Sequence, residues 1–136
     1  MANRWILKTE PTTYSFSDLV RDRSTVWDGV RNAAALIHLR AMRQGDHALI
    51  YHSGDDKAVI GQATIAGDPF PDPDAGDPRW VVVRLAAGAA LPRPVPLAAI
   101  KAEPLFADLG LVRISRLSVM PVSAPQWRRL LALGGI

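Results

Sequence analysis

The chain contains no cysteine. Disulfides, thiol nucleophiles and cysteine-based zinc sites are therefore excluded, and the fold must rest on its own core. Lysine is scarce too, with three against thirteen arginines. No apolar run approaches the length of a membrane span. The opening Asn3-Arg4-Trp5-Ile6-Leu7-Lys8 runs into a strand-like pattern without the apolar stretch of a signal peptide. A soluble cytoplasmic protein with no membrane partner is expected. Internal repeats are also absent.

What remains is a chain of 136 residues, 49% of them hydrophobic. That reads as a single domain over residues 1–136, long enough to bury about two-thirds of the surface an unfolded chain exposes. The formal net charge of +3 suits an anionic partner, nucleic acid first. A GC-rich coding sequence would produce the same arginine excess, so charge alone does not select that partner.

Read in order, Arg4 to Thr9 alternates as a strand, with Trp5, Leu7 and Thr9 on one face and Ile6 and Lys8 on the other. Glu10-Pro11 ends it, and Ser15 with Asp18 three residues on signals a short helix reaching Asp22. Trp27 is expected in a turn. A helix over Ala33 to Arg43 places Ala33, Leu36, Ile37, Leu39 and Met42 along its inner side, and Gly45 caps it. Asp46 to His52 and Ala58 to Ala66 predict an antiparallel hairpin around Ser53-Gly54-Asp55-Asp56, with Gly61 marking a bulge or a close approach.

Asp68 to Pro78 reads as an acidic, proline-stiffened loop. Trp80 to Leu85 is the strongest strand and is expected at the centre of the sheet. Leu91 to Pro96 reads as an extended linker, Leu97 to Lys101 as a short helix, and Leu105 to Leu109 as a further turn. After the basic segment Leu111 to Leu117 come a closing strand, Ser118 to Val122, and a last helix capped by Ser123 with Pro125 in its first turn. The result is an α+β domain with a curved or barrel-like sheet of mostly antiparallel strands and helices packed outside.

Four segments carry groups that folding does not require: Lys8-Thr9-Glu10, Trp27 to Asn32, Tyr51-His52-Ser53, and Arg113 with Arg116. Gly29 permits backbone angles other residues resist, and Asn32 can cap the following helix, leaving free N–H groups near Trp27. A nucleobase pocket needs an aromatic face, fixed donors and acceptors, and cations for the flanking phosphates. Trp27 supplies the face. Thr9, Glu10 and the backbone of Asp28, Gly29 and Val30 can read a base edge, while Lys8, Arg31, Arg113 and Arg116 can meet phosphates. The plainer reading of Trp27 is a buried anchor for its loop. His52 either caps the hairpin or lines the pocket.

Catalytic constellations are thin. His38, His47 and His52 lack zinc spacing, and Ser53 beside His52 has no nucleophile elbow. Neither a metal nor another cofactor is expected.

Taken together, Trp5-Ile6-Leu7-Lys8-Thr9-Glu10-Pro11, Val26-Trp27-Asp28-Gly29-Val30-Arg31-Asn32, Gly45-Asp46, Tyr51-His52-Ser53 and Ser115-Arg116-Leu117-Ser118-Val119 resemble the EVE domain family. The resemblance implies a PUA-like pseudo-barrel, similar to the YTH readers of methylated adenosine, with a pocket for a modified base. Modified cytosine in DNA is the substrate class it implies. Trp27 then looks like the first wall of an aromatic cage, Thr9 and Glu10 match base-contacting positions, Lys8 and Arg116 match positions near phosphate, and Tyr51, His52 and Ser53 border the cavity. The chain departs from the family where it reads Ala33-Ala34-Ala35-Leu36-Ile37 in place of an aromatic, a Gln and an Ala-Arg-Asn step.

The expectation is a monomeric, non-enzymatic binder of nucleic acid carrying a modified base, in DNA or RNA. One alternative is a small amidohydrolase of modified cytidine, from the similarity of EVE folds to ASCH domains that use Lys, Thr and Glu. Another is a protein-interaction module, which requires an exposed apolar patch.

Overall fold

The computed structural model describes residues 2–136. Its first strand, β1 (Arg4–Thr9), runs parallel to β3 (His47–His52) and antiparallel to β7 (Val119–Pro121). Trp5, Ile6 and Leu7 are all buried, so β1 does not show the alternation of faces expected for it. An interior strand flanked on both edges and covered on both faces has no solvent side to mark.

Two more strands continue the sheet. β4 (Ala58–Ile65) forms the expected antiparallel hairpin with β3. It also pairs antiparallel with β6 (Val81–Pro96), and β6 with β2 (Ser24–Trp27). The order is β2-β6-β4-β3-β1-β7, with the two-residue β5 (Phe70–Pro71) as a further partner of β6. All pairs but β1·β3 are antiparallel, and this mixed sheet forms a half-barrel with helices outside it, as expected for the fold class.

Around it lie α1 (Phe16–Asp22), α2 (Ala33–Ala41), α3 (Leu97–Lys101), α4 (Gly110–Arg113) and α5 (Ala124–Leu133). Ser15 and Asp18 close α1 with a reciprocal capping box, and Ser123 with Gln126 does the same for α5, satisfying backbone donors the helix leaves free. Gly61 meets both expectations. The β4·β6 register shifts on either side of it, and the Phe16 ring occupies the space a side chain at position 61 would need.

Several expectations change. Trp27 ends a strand instead of sitting in a turn, and the turn begins at Asp28. Leu91 to Pro96 is no linker but the second half of one 16-residue strand. Its prolines are tolerated because Pro92 and Pro94 fall where the β4·β6 ladder is irregular and demands no N–H from them. Strand β6 is interior, yet β4 and β3 hold the middle of the sheet. Helix α2 stops at Ala41, so Gly45, with φ of +93°, turns the chain into β3 and is not its cap. Ile37 is 63% exposed and Ala33 is exposed, since the helix packs on Ala35, Leu36 and Leu39. Among the described residues no helix is long and apolar enough to cross a membrane.

Candidate functional site

A cavity of about 520 Å³ opens where the end of β1 meets the turn after β2. Its wall takes Lys8, Thr9 and Glu10 from β1 and the residue beyond it, and Thr13 and Tyr14 from the stretch before α1. Thr25 to Arg31 supply a further part of the lining, and Ser118 completes it.

Trp27 lies at the end of β2 opposite Val83, and 9% of its surface is exposed. Most of the ring is therefore an anchor in the core, and the remainder reaches the cavity. Tyr14 joins it there, half-buried, its ring at a right angle to the indole. Gly29, at φ of +77°, turns the chain away from Trp27, a backbone angle that costs a side chain more than it costs glycine. Val30 is buried and Asn32 accepts the N–H of Ala35 at 3.1 Å as the cap of α2.

The polar groups are held in place. Thr9 Oγ1 donates to the carbonyl of Tyr14 at 2.6 Å, which fixes Tyr14 against the end of β1. Lys8 Nζ donates to the carbonyl of Ser115 at 2.7 Å and lies 5.8 Å from the centre of the Tyr51 ring. Burial holds the Lys8 ammonium below its ordinary pKa. Glu10 Oε1 accepts from the backbone and hydroxyl of Thr12 at 3.2 and 3.1 Å, and its carboxylate rests against Gly54 in the hairpin turn.

Arg31 bridges two hollows. Its guanidinium lies 4.2 Å from the centre of the Trp80 ring, 3.7 Å from Asp72 Oδ2, and donates to the carbonyl of Val30 at 3.1 Å. A smaller hollow of about 260 Å³ adjoins it, lined by Asp28, Gly29, Arg31, Asp72, Asp74 and Ala75. Carboxylates gather on that side.

The structure thus brings Lys8, Thr9, Glu10, Trp27, Asp28, Gly29, Val30 and Arg31 into the lining of one cavity. It leaves Asn32, Tyr51, His52, Ser53, Arg113 and Arg116 outside it. His52 is buried and caps local structure: Nε2 accepts the N–H of Phe16 at 2.9 Å, and Nδ1 lies 3.0 Å from Asp56 in the hairpin turn. Ser53 sends its backbone N–H and its hydroxyl to the carbonyl of Thr9, at 2.9 and 3.2 Å, and fastens the end of β1. Tyr51 is buried beneath Lys8, and burial raises its phenol above the ordinary pKa. These three residues support the cavity from behind. Arg113 and Arg116 are exposed on the segment whose Ser115 carbonyl takes the Lys8 amine.

His38 packs near Trp5 and His47 near Trp127, each with ring centres 6.2 Å apart. Neither histidine lines the cavity. The residues that sequence reasoning missed are Thr13, Tyr14, Thr25, Val26 and Ser118. Tyr14 was the findable one, as the single aromatic between β1 and the capping box of α1.

An aromatic corner faced by hydroxyls, backbone and a few charges can hold a flat polar heterocycle. Relatives of this chain share the architecture. A Rhodopseudomonas palustris protein of known NMR structure is 41% identical, with a TM-score of 0.93 over 98% of this chain and 94% of that one. Human THYN1, in a crystal structure with DNA containing 5-methylcytosine, is 26% identical, with a TM-score of 0.88 over 99% of each chain. The ASCH protein of Zymomonas mobilis, 12% identical with a TM-score of 0.63 over 96% of this chain and 95% of that one, shares the fold alone. These neighbours make the half-barrel PUA-like. The EVE domain model matches residues 3–133, nearly the whole length, and this chain belongs to the EVE domain family.

Proposed function

We propose that the chain binds a modified base of DNA, modified cytosine first, taken out of the stack into the cavity beside Trp27 and Tyr14. The observation that carries this reading is the cavity itself, where an aromatic corner, fixed hydroxyls and the turn at Asp28 to Val30 face one space large enough to admit a nucleobase. The complex of human THYN1 with DNA containing 5-methylcytosine supports it from a relative of the same fold. A base entering there stacks on the exposed part of the indole and offers its polar edge to Thr9, Glu10 and the turn. Such stacking contributes about 1–3 kcal/mol.

The test is a titration of labelled oligonucleotides carrying cytosine or 5-methylcytosine, in DNA and in RNA, with wild type, Trp27→Ala and Trp27→Phe. Preference for the modified base should persist in Trp27→Phe and vanish in Trp27→Ala while thermal denaturation shows both folded. Equal preference in all three proteins rejects the indole as a wall.

A hydrolytic reading has one observation in its favour, since Lys8, Thr9 and Glu10 share the cavity wall. Against it, the Thr9 hydroxyl and the Lys8 amine are already donated to the carbonyls of Tyr14 and Ser115. A general base or nucleophile must first be free to reach substrate. Incubation with acetylated cytidine followed by chromatography decides this, with cytidine as the product that would favour hydrolysis.

A further inference from the structure

The segment after α4 carries an apolar side chain where a charged surface would be expected to stay polar. Ile114 is 50% exposed. It stands directly after Arg113 and two residues before Arg116, both exposed and neither in an ion pair among the described residues. The segment is not loose. The N–H of Ile114 bonds the carbonyl of Gly110 at 2.8 Å, and the N–H of Leu117 bonds the carbonyl of Ile114 at 3.0 Å. Leu117 turns inward and is buried, while Ile114 remains outside.

Two further bonds tie this turn to the cavity: Lys8 Nζ to the Ser115 carbonyl at 2.7 Å, and the Lys8 N–H to the Ser118 carbonyl at 2.9 Å. Ser118 itself lines the cavity. Val20, Ile37, Phe70, Leu105 and Ile136 are also exposed, but they sit on α1, α2, β5, the 3-10 turn Pro104–Phe106 and the residues after α5, none of which lines the cavity.

We propose that Ile114 is a wedge that enters duplex DNA in the gap left by the extruded base, with Arg113 and Arg116 on the phosphates to either side. The inference rests on the base-binding reading of the cavity. Taking a base out of a duplex unstacks its neighbours, at a cost of a few kcal/mol, and leaves an apolar slot between them. An aliphatic side chain filling that slot recovers part of the cost, and flanking arginines supply the charge complement of the backbone. A rigid turn holds all three groups at a fixed distance from the cavity.

The experiment uses three DNA probes: a duplex with a central 5-methylcytosine opposite guanine, the same strand alone, and a duplex with the 5-methylcytosine opposite an abasic site. A 2-aminopurine next to the modified base reports unstacking by its fluorescence. Ile114→Ser should weaken binding to the paired duplex about tenfold and dim the 2-aminopurine response. Binding to the single strand should be unchanged, binding to the abasic duplex should be restored, and Ile114→Leu should behave as wild type. Equal loss on all three probes, or no loss on the paired duplex, overturns the wedge and leaves the cavity reading standing. Wild-type binding to the single strand but not to the paired duplex does the same. Absence of wild-type binding to any probe rejects the cavity reading, and the wedge with it.

Discussion

Tyr14 meets Trp27 edge to face, with ring centres 6.3 Å apart and planes 85° from parallel. Tyr14 is held at both ends: its hydroxyl donates to Asp22 Oδ2 at 2.8 Å, and its backbone carbonyl accepts from Thr9 Oγ1 at 2.6 Å. Such a pair contributes about 0.5–1.5 kcal/mol beyond the area it buries. Tyr14→Ala should therefore lower stability by at least that amount and weaken binding to 5-methylcytosine oligonucleotides, whereas Tyr14→Phe keeps most of both. Titration and thermal denaturation of the two variants check this, and wild-type affinity in Tyr14→Ala would remove the ring from the wall.

At Gly61 the Phe16 ring takes the space that a side chain would need. The missing Cβ makes room for that buried ring. Gly61→Ala should cost about 1–3 kcal/mol through overpacking. In urea denaturation, Gly61→Ala placed in a Phe16→Leu background should cost less than in wild type, because the two positions share the space. Additive costs would mean the ring is not the obstacle.

Asp46 is a buried carboxylate that contributes to the acid limb of stability. Burial pushes its carboxyl pKa up, but N–H groups of Trp5 Nε1, Asn3 and Arg43, at 3.0, 2.9 and 2.9 Å, outweigh burial and hold it below the ordinary 3.8. A pKa depressed by folding stabilises the native state fully above the unfolded value, and that contribution fades as pH falls through the folded value. Melting temperature should thus drop on acidification below about pH 4. Asp46→Ala should cost about 3 kcal/mol at neutral pH by leaving these donors without a partner, and its melting temperature should fall less steeply in acid. An unchanged acid slope would assign the effect to another carboxylate.

Arg31 stacks on Trp80 and leans toward Asp72. If it meets a phosphate during binding, Arg31→Gln should reduce the salt dependence of DNA affinity by about one phosphate contact. Asp72→Asn should instead raise affinity, because a carboxylate 3.7 Å from the guanidinium competes with phosphate for it. Titrations at several salt concentrations separate the two, and identical slopes for wild type and Arg31→Gln would place Arg31 off the DNA path.

Much of the molecule was legible where local chemistry speaks alone. The capping box at Ser15, the cap at Ser123, the hairpin around Gly54, and the gathering of Lys8, Thr9, Glu10 and Trp27 to Arg31 around one cavity were all legible in short patterns. Strand β2 was not legible because Ser24-Thr25-Val26-Trp27 is four residues long and gains its identity only from pairing with Ala86 to Val83. The prolines of Leu91 to Pro96 likewise read as a linker, and only an irregular ladder makes room for them. In α2 the run of alanines blurs the helical face, so Ile37 was assigned inward. Tyr51, His52 and Ser53 sit next to the cavity in sequence register, Thr9 pairing with His52, but their side chains are spent on the fold.

The bond between Lys8 and Ser115 joins residues 107 positions apart in the chain. Closing so large a loop is entropically costly, and β1 needs β3 on one edge and β7 on the other before both edges are satisfied. The cavity lining at Lys8 and Ser118 is therefore complete only when strands far apart in the chain have paired. A change that loosens the far edge at β7 should therefore disturb the cavity first through Ser118, whose carbonyl holds the N–H of Lys8.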